Sequence, residues 1–300
     1  MVSPDERLTT RSATPAAASG RSGRPVLVTG VPRSGTTWLA RRLADARLAS
    51  LPGREPMNPR SGQFGLGGTL HSWTELREPS KKQVRTLERC YRGHEVRAFS
   101  RYGSHQWLSV LPWSRTIVKD PFALLAVPTI AACTSAIPVI LYRHPGAVLA
   151  SYRRMGWVAD TTEIRRLQGL PTAPGPVDDA AAMVEFWTFL HERVLTWVDD
   201  VPDVLLVSHA EVSLGGDTAV RAIMRACDLQ PRPGAHEQSE PRGPSTSAAP
   251  DAGQLHDFSR SPGEVVDGWR SRLGADEVAV VESGSQQVWE SLEGRRFALS

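Results

Sequence analysis

Val26-Leu27-Val28-Thr29-Gly30-Val31-Pro32-Arg33-Ser34-Gly35-Thr36-Thr37-Trp38 is the stretch whose reading decides the fold. It starts with a short apolar run bounded by glycine, which fits a strand buried on both faces. A glycine-rich turn follows, and Thr37 to Ala46 then reads as a helix with Trp38, Leu39 and Leu43 inward. Strand, turn and helix start together make an anion trap. N–H groups left unpaired at a helix N-terminus face the ligand, and the helix dipole adds positive potential. The nucleoside-triphosphate version of such a loop, GxxxxGK[ST], needs its lysine to reach the β- and γ-phosphates. The spacing from Gly30 to Gly35 is kept here, but Thr36 stands in the lysine's place, which argues against triphosphate chemistry. Arg33 instead puts a cation inside the loop. A bare glycine pattern also suits a tight turn that holds nothing, so other stretches must decide.

Working outward, further strands are expected at Thr116–Lys119, Pro138–Tyr142 and Val204–Val207, with a weaker one at Leu48–Leu51. Helices are expected at Ser80–Tyr91, Phe122–Ala132 (despite Pro128), Pro145–Arg154, Ala180–Val198 and Ala275–Leu292. In the helix from Ala180, the residues Met183, Phe186, Trp187, Leu190, Val194, Trp197 and Val198 share one face. Short buried strands alternating with helices predict an α/β fold. The expectation is one three-layer, P-loop-like domain, with a central, mainly parallel sheet of about four to five strands flanked by helices. Residues 25–300 form that domain. Met1 to Arg24, polar and rich in Ser, Thr, Ala and Arg, reads as a disordered tail. Pro52–Gly68 and Gly169–Val177 read as loops, and about 230–253 as a mobile one.

Composition narrows the function classes. Of 300 residues, 40% are hydrophobic and 22% charged, ordinary for a soluble globular protein. A net charge of +3 is too small to indicate nucleic acid as a partner, but it suits one cationic cleft. Only Lys81, Lys82 and Lys119 among 35 basic residues are lysines, which singles out Lys119 at a strand end. The three cysteines form no CxxC pair, so neither a zinc site nor a disulfide framework is indicated, and a reducing, cytoplasmic location is expected. No run of 18 apolar residues offers a membrane span.

The string Pro32-Arg33-Ser34-Gly35-Thr36-Thr37-Trp38 resembles the loop by which sulfotransferases hold 3′-phosphoadenosine 5′-phosphosulfate. The resemblance implies that Arg33 steadies the bridging oxygen as sulfonate departs, and that Ser34, Gly35, Thr36, Thr37 and Trp38 belong to the nucleotide site. Arg143-His144-Pro145-Gly146-Ala147-Val148-Leu149-Ala150-Ser151 resembles the family's 3′-phosphate site, an arginine and a serine at this interval. The arginine offers a planar fork and the serine a helix hydroxyl. Arg260-Ser261-Pro262-Gly263, followed by Val266-Asp267-Gly268-Trp269-Arg270, is similar to the C-terminal loop that closes over the nucleotide, with Arg260 on the 3′-phosphate. Ser208-His209-Ala210-Glu211 corresponds to a place where the family commonly has Tyr-Glu.

Sulfonyl transfer to an alcohol needs a base near the attacking oxygen and cations around the developing charge. Glu55-Pro56-Met57-Asn58-Pro59 resembles the Glu-Pro-x-Asn pattern of bacterial relatives and makes Glu55 the expected base. Lys119 then faces the sulfonate. Asp120 stands as an alternative, orienting Lys119 or taking the proton itself. His71, His94 and His105 are further candidates in the presumed acceptor segment, with Phe64, Trp73, Trp107 and Trp113 as pocket lining or core. The family implies the phosphosulfate donor as co-substrate, no metal, and a small-molecule or glycan acceptor. A phosphate-loop kinase and a non-catalytic nucleotide-binding module are the alternatives.

Overall fold

The computed structural model describes residues 23–61, 63, 73–171, 178–232, 263 and 266–299. Val26–Thr29 forms β1, with all four residues buried. It pairs in parallel with β4 (Arg115–Lys119) on one side and with β5 (Ile137–Tyr142) on the other. Outside β4 lies β2 (Ala49–Gly53), also parallel, and outside β2 the antiparallel β3 (Phe99–Ser104). Outside β5 lies the parallel β6 (Leu205–Ser208). The sheet order is β3-β2-β4-β1-β5-β6, so the six strands exceed the expected number by one or two.

Eight helices are described: α1 (Thr36–Ala44), α2 (Lys81–Tyr91), α3 (Val127–Thr134), α4 (Pro145–Arg154), α5 (Thr161–Leu167), α6 (Asp179–Leu195), α7 (His209–Ala226) and α8 (Ala275–Glu293). The period of two along β5 sorts them into layers. Val139 and Leu141 pack with Leu39 and Leu43 of α1 and with Val220 and Ile223 of α7. Ile140 and Tyr142 point the other way, into Met183, Phe186, Trp187 and Leu190 of α6 and Val281 and Val288 of α8. The face read from the α6 sequence is thus the face that is buried. Covering both sides of the sheet is what removes polar alternation from β1 and β5.

Proline positions follow from hydrogen-bond direction. Ile137 donates its N–H to Pro25 on the β1 side (2.9 Å), so the next residue, Pro138, would donate toward β6. Pairing with β6 begins only at Val139, and no ladder bond is lost. The helix expected over Phe122–Ala132 divides into a 3-10 turn, Pro121–Ala126, and α3, with Pro128 in the first turn where a missing N–H is tolerated.

Three elements were not legible. β3 is an edge strand carrying the exposed Arg101 and Tyr102 and has no apolar run. α5 is only seven residues long. α7 contains Gly215-Gly216, and Gly216 breaks the helix with φ +50°. Conversely, the loop expected from Pro52 to Gly68 is partly ordered, since β2 continues through Gly53 and Pro59–Ser61 forms a 3-10 turn. The N-terminal residues 1–22 and most of the 230–253 segment lie outside the described residues.

Candidate active site

The five parallel strands end at one edge of the sheet, so the turns leaving β1, β2, β4, β5 and β6 gather there. The crevice beside β1, where the strand order reverses, is the usual ligand position of an open α/β sheet.

The turn after β1 passes so close to β5 that a Cβ on Gly30 (φ +148°) would lie 2.1 Å from the Leu141 carbonyl oxygen. Gly35 (φ +94°) opens α1, and a Cβ there would lie 2.7 Å from His209 Cδ2. Arg33 adopts φ +74° without being glycine, a conformation that surrounding contacts must hold. No side chain caps α1 and its first turn has no acid, while Arg41 and Arg42 occupy its last turn. The positive end of the helix is therefore left for an anion. The Ser34 hydroxyl is buried with no hydrogen-bond partner among the described residues, the kind of group a phosphate oxygen would satisfy.

The two stretches read as halves of one nucleotide site touch directly. Arg33 Nε donates to Ser151 Oγ at 3.0 Å, and Arg143 Nη1 donates to the Arg33 carbonyl at 3.0 Å. Trp187 Nε1 fixes the Arg143 carbonyl at 2.9 Å. Burial, followed by the nearby Arg154 charge, lowers the pKa of Arg33. Thr36 is buried and Thr37 half-buried, whereas Trp38 packs against the α1–α7 core. Arg260 lies outside the described residues. Trp269, from the same C-terminal stretch, is buried and stacks on His144 with ring centroids 4.5 Å apart. His144 caps α4, its Nδ1 accepting from the Gly146 amide at 3.2 Å. Burial and then Arg270 push its pKa down to about 4, so it caps the helix as a neutral imidazole.

Glu55 follows β2. Its Oε1 pairs with Lys119 Nζ and its Oε2 accepts from Asn58 Nδ2, with about one-seventh of each charged side chain exposed. The sequence candidates Glu55 and Lys119 are thus brought into contact. Asp120 is fully buried and does not orient Lys119 through any described hydrogen bond. Its carboxylate accepts from the Met57 amide (2.6 Å) and the Phe122 amide (3.1 Å). Its carbonyl accepts from Thr29 Oγ1 at 2.8 Å. Burial first, then the Glu55 charge, raises the Asp120 pKa.

His94 and His105 are exposed, and His71 and Phe64 lie outside the described residues. Trp73 is core, packed on Phe122 and Phe186, whereas Trp107 and Trp113 are 72% and 60% exposed. Sequence reading gave no role to His209, which packs on Gly35 and is held neutral by burial and Arg143. Its place directly after β6 was the available signal. Arg60 and Trp157, which meet at this edge, gave none, because nothing in the sequence links positions so far apart.

The sulfotransferase family profile matches residues 25–233. The chain belongs to the sulfotransferase family. No curated protein matches it. Among solved structures, the sulfotransferase domain from the Synechococcus PCC 7002 olefin synthase is 17% identical, with 87% of this chain and 94% of that domain covered and a TM-score of 0.42. Among the described residues this sulfotransferase has no group of His, Cys, Asp or Glu placed to hold a metal, and no helix long and apolar enough to cross a membrane.

Proposed function

We propose that this sulfotransferase moves a sulfonate group from 3′-phosphoadenosine 5′-phosphosulfate to a hydroxyl of a small-molecule or glycan acceptor, with Glu55 as general base. The observation that carries the reading is the Glu55–Lys119 pair, set at the same sheet edge as the loop whose Arg33 bonds Ser151. The Gly30–Trp38 turn holds the 5′-phosphosulfate, and Arg143 and Ser151 take the 3′-phosphate. Binding then exchanges the Arg33–Ser151 bond for bonds to the donor. Arg260 belongs to the same 3′ end. Glu55 accepts the proton of the acceptor hydroxyl as its oxygen forms a bond to sulfur. The bond from sulfur to the bridging oxygen breaks on the opposite side and releases 3′-phosphoadenosine 5′-phosphate. Negative charge grows on that oxygen, where Arg33 opposes it, while Lys119 faces the sulfonate. Residues 25–300 act as the catalytic domain in the cytoplasm.

Transfer from labelled donor over an acceptor panel tests this reading. Glu55→Gln is expected to lower kcat by about 10²–10⁴-fold, with unchanged calorimetric affinity for 3′-phosphoadenosine 5′-phosphate. Wild-type turnover in that variant would remove Glu55 as base. Nucleotide binding without transfer to any acceptor would favour a non-catalytic nucleotide-binding module.

A further inference from the structure

Two arginines from different turns meet one indole ring. Arg33 Cζ lies 5.8 Å and Arg60 Cζ 5.4 Å from the Trp157 ring centroid, which puts the two guanidinium groups within about 11 Å of each other. Trp157 is itself fixed edge-on to Tyr152 of α4, centroids 5.7 Å apart. Arg60 is tied to the base as well: its amide donates to Asn58 Oδ1 at 2.9 Å, and Asn58 Nδ2 holds Glu55. One turn, 55–60, therefore carries both Glu55 and this cation.

Among the described residues, Arg60 and Arg101 are exposed arginines that lie over an aromatic ring with no acidic partner. Exposed arginines such as Arg153, Arg166, Arg270 and Arg295 are matched by Glu277, Glu163, Glu282 and Asp199. Among the described residues no carboxylate pairs with Arg60, and its guanidinium carbon lies over the Trp157 ring. An arginine over an aromatic face can still offer its N–H fork, which takes a planar or tetrahedral anion by two parallel hydrogen bonds. The donor phosphates already have Arg33, Arg143 and Ser151.

We propose that the acceptor carries a negatively charged group that seats on Arg60 against Trp157 and so delivers its hydroxyl to Glu55. This rests on the sulfotransfer reading above and narrows the acceptor to an anionic molecule. Glucuronate and glucose, equal in ring and different in one carboxylate, are suitable probes. With protein saturated by 3′-phosphoadenosine 5′-phosphate, glucuronate is expected to change tryptophan emission saturably and glucose is not. Arg60→Ala should weaken glucuronate binding about tenfold or more, Arg60→Lys should restore part of it, and Trp157→Phe should remove the emission change. A glucuronate response that survives in Arg60→Ala, or no response in the wild type, overturns the proposal. So does weaker binding of 3′-phosphoadenosine 5′-phosphate to Arg60→Ala, which would put Arg60 in the donor site. Across acceptor pairs differing by one carboxylate, the anionic member should have the lower KM, an advantage that Arg60→Ala abolishes. Equal KM values overturn the anionic seat. Loss of transfer from every acceptor, with Arg60-dependent glucuronate binding intact, overturns the sulfotransfer assignment instead.

Discussion

At the scale of single residues, Asp120 joins three segments: β1 through Thr29, the Glu55 turn through the Met57 amide, and the 3-10 turn after β4 through the Phe122 amide. Its burial and the Glu55 charge favour the protonated carboxyl, while the two amides favour the carboxylate, and burial is the larger effect. The folded protein therefore holds this proton more tightly than the unfolded chain, so the contribution of Asp120 to stability declines as pH rises from the ordinary Asp value of 3.8 toward the raised one. In Asp120→Asn that decline should flatten, at the cost of about 1–3 kcal/mol for a lost amide acceptor. Urea midpoints measured from about pH 5 to 9 check this; a parallel decline in both proteins would remove Asp120 as its source. Glu55 and Lys119 were legible from local strings. The Asp120 contacts were not, because its partners lie up to 91 positions away.

At the scale of elements, β1, α4 and α8 could be read because an apolar run, a proline at the first helical position and a sustained period each appear within one window. β3 and α7 lacked such signals, and what holds them is the neighbouring strand or the core beneath. The C-terminal stretch is anchored on α4 in the same tertiary way. Gly146 leaves the space that Trp269 fills, and a Cβ there would lie 2.3 Å from Trp269 Cζ3. Gly146→Ala is expected to push Trp269 off His144, red-shift tryptophan emission and cost about 1–3 kcal/mol, the usual range for overpacking. A crystal structure or emission spectrum of the variant with Trp269 still seated would contradict that anchoring.

At the scale of the whole molecule, three histidines kept neutral by the fold, His144, His191 and His209, act on the acid limb of stability. His144 and His191 both have pKa values pushed down to about 4, first by burial. Protons then prefer the unfolded chain, so the stability these histidines contribute is complete above the ordinary value of 6.5 and is lost as pH falls from there toward 4. Each contributes at most about 1.4 kcal/mol per pH unit in that window. His191→Gln should make the decline shallower in thermal melts; an unaltered slope would show that other groups cause it. The sequence alone determined the α/β class, the glycine-rich turn after β1 and the strings that mark the family, because strand and helix periods and tight-turn chemistry are local properties of the chain. Only the tertiary structure decided that Arg33 reaches Ser151, that Glu55 meets Lys119, and that Arg60 shares Trp157 with the loop. Those contacts form because parallel strands deliver distant turns to one edge, and sheet order is set by the packing of both faces rather than by any one segment.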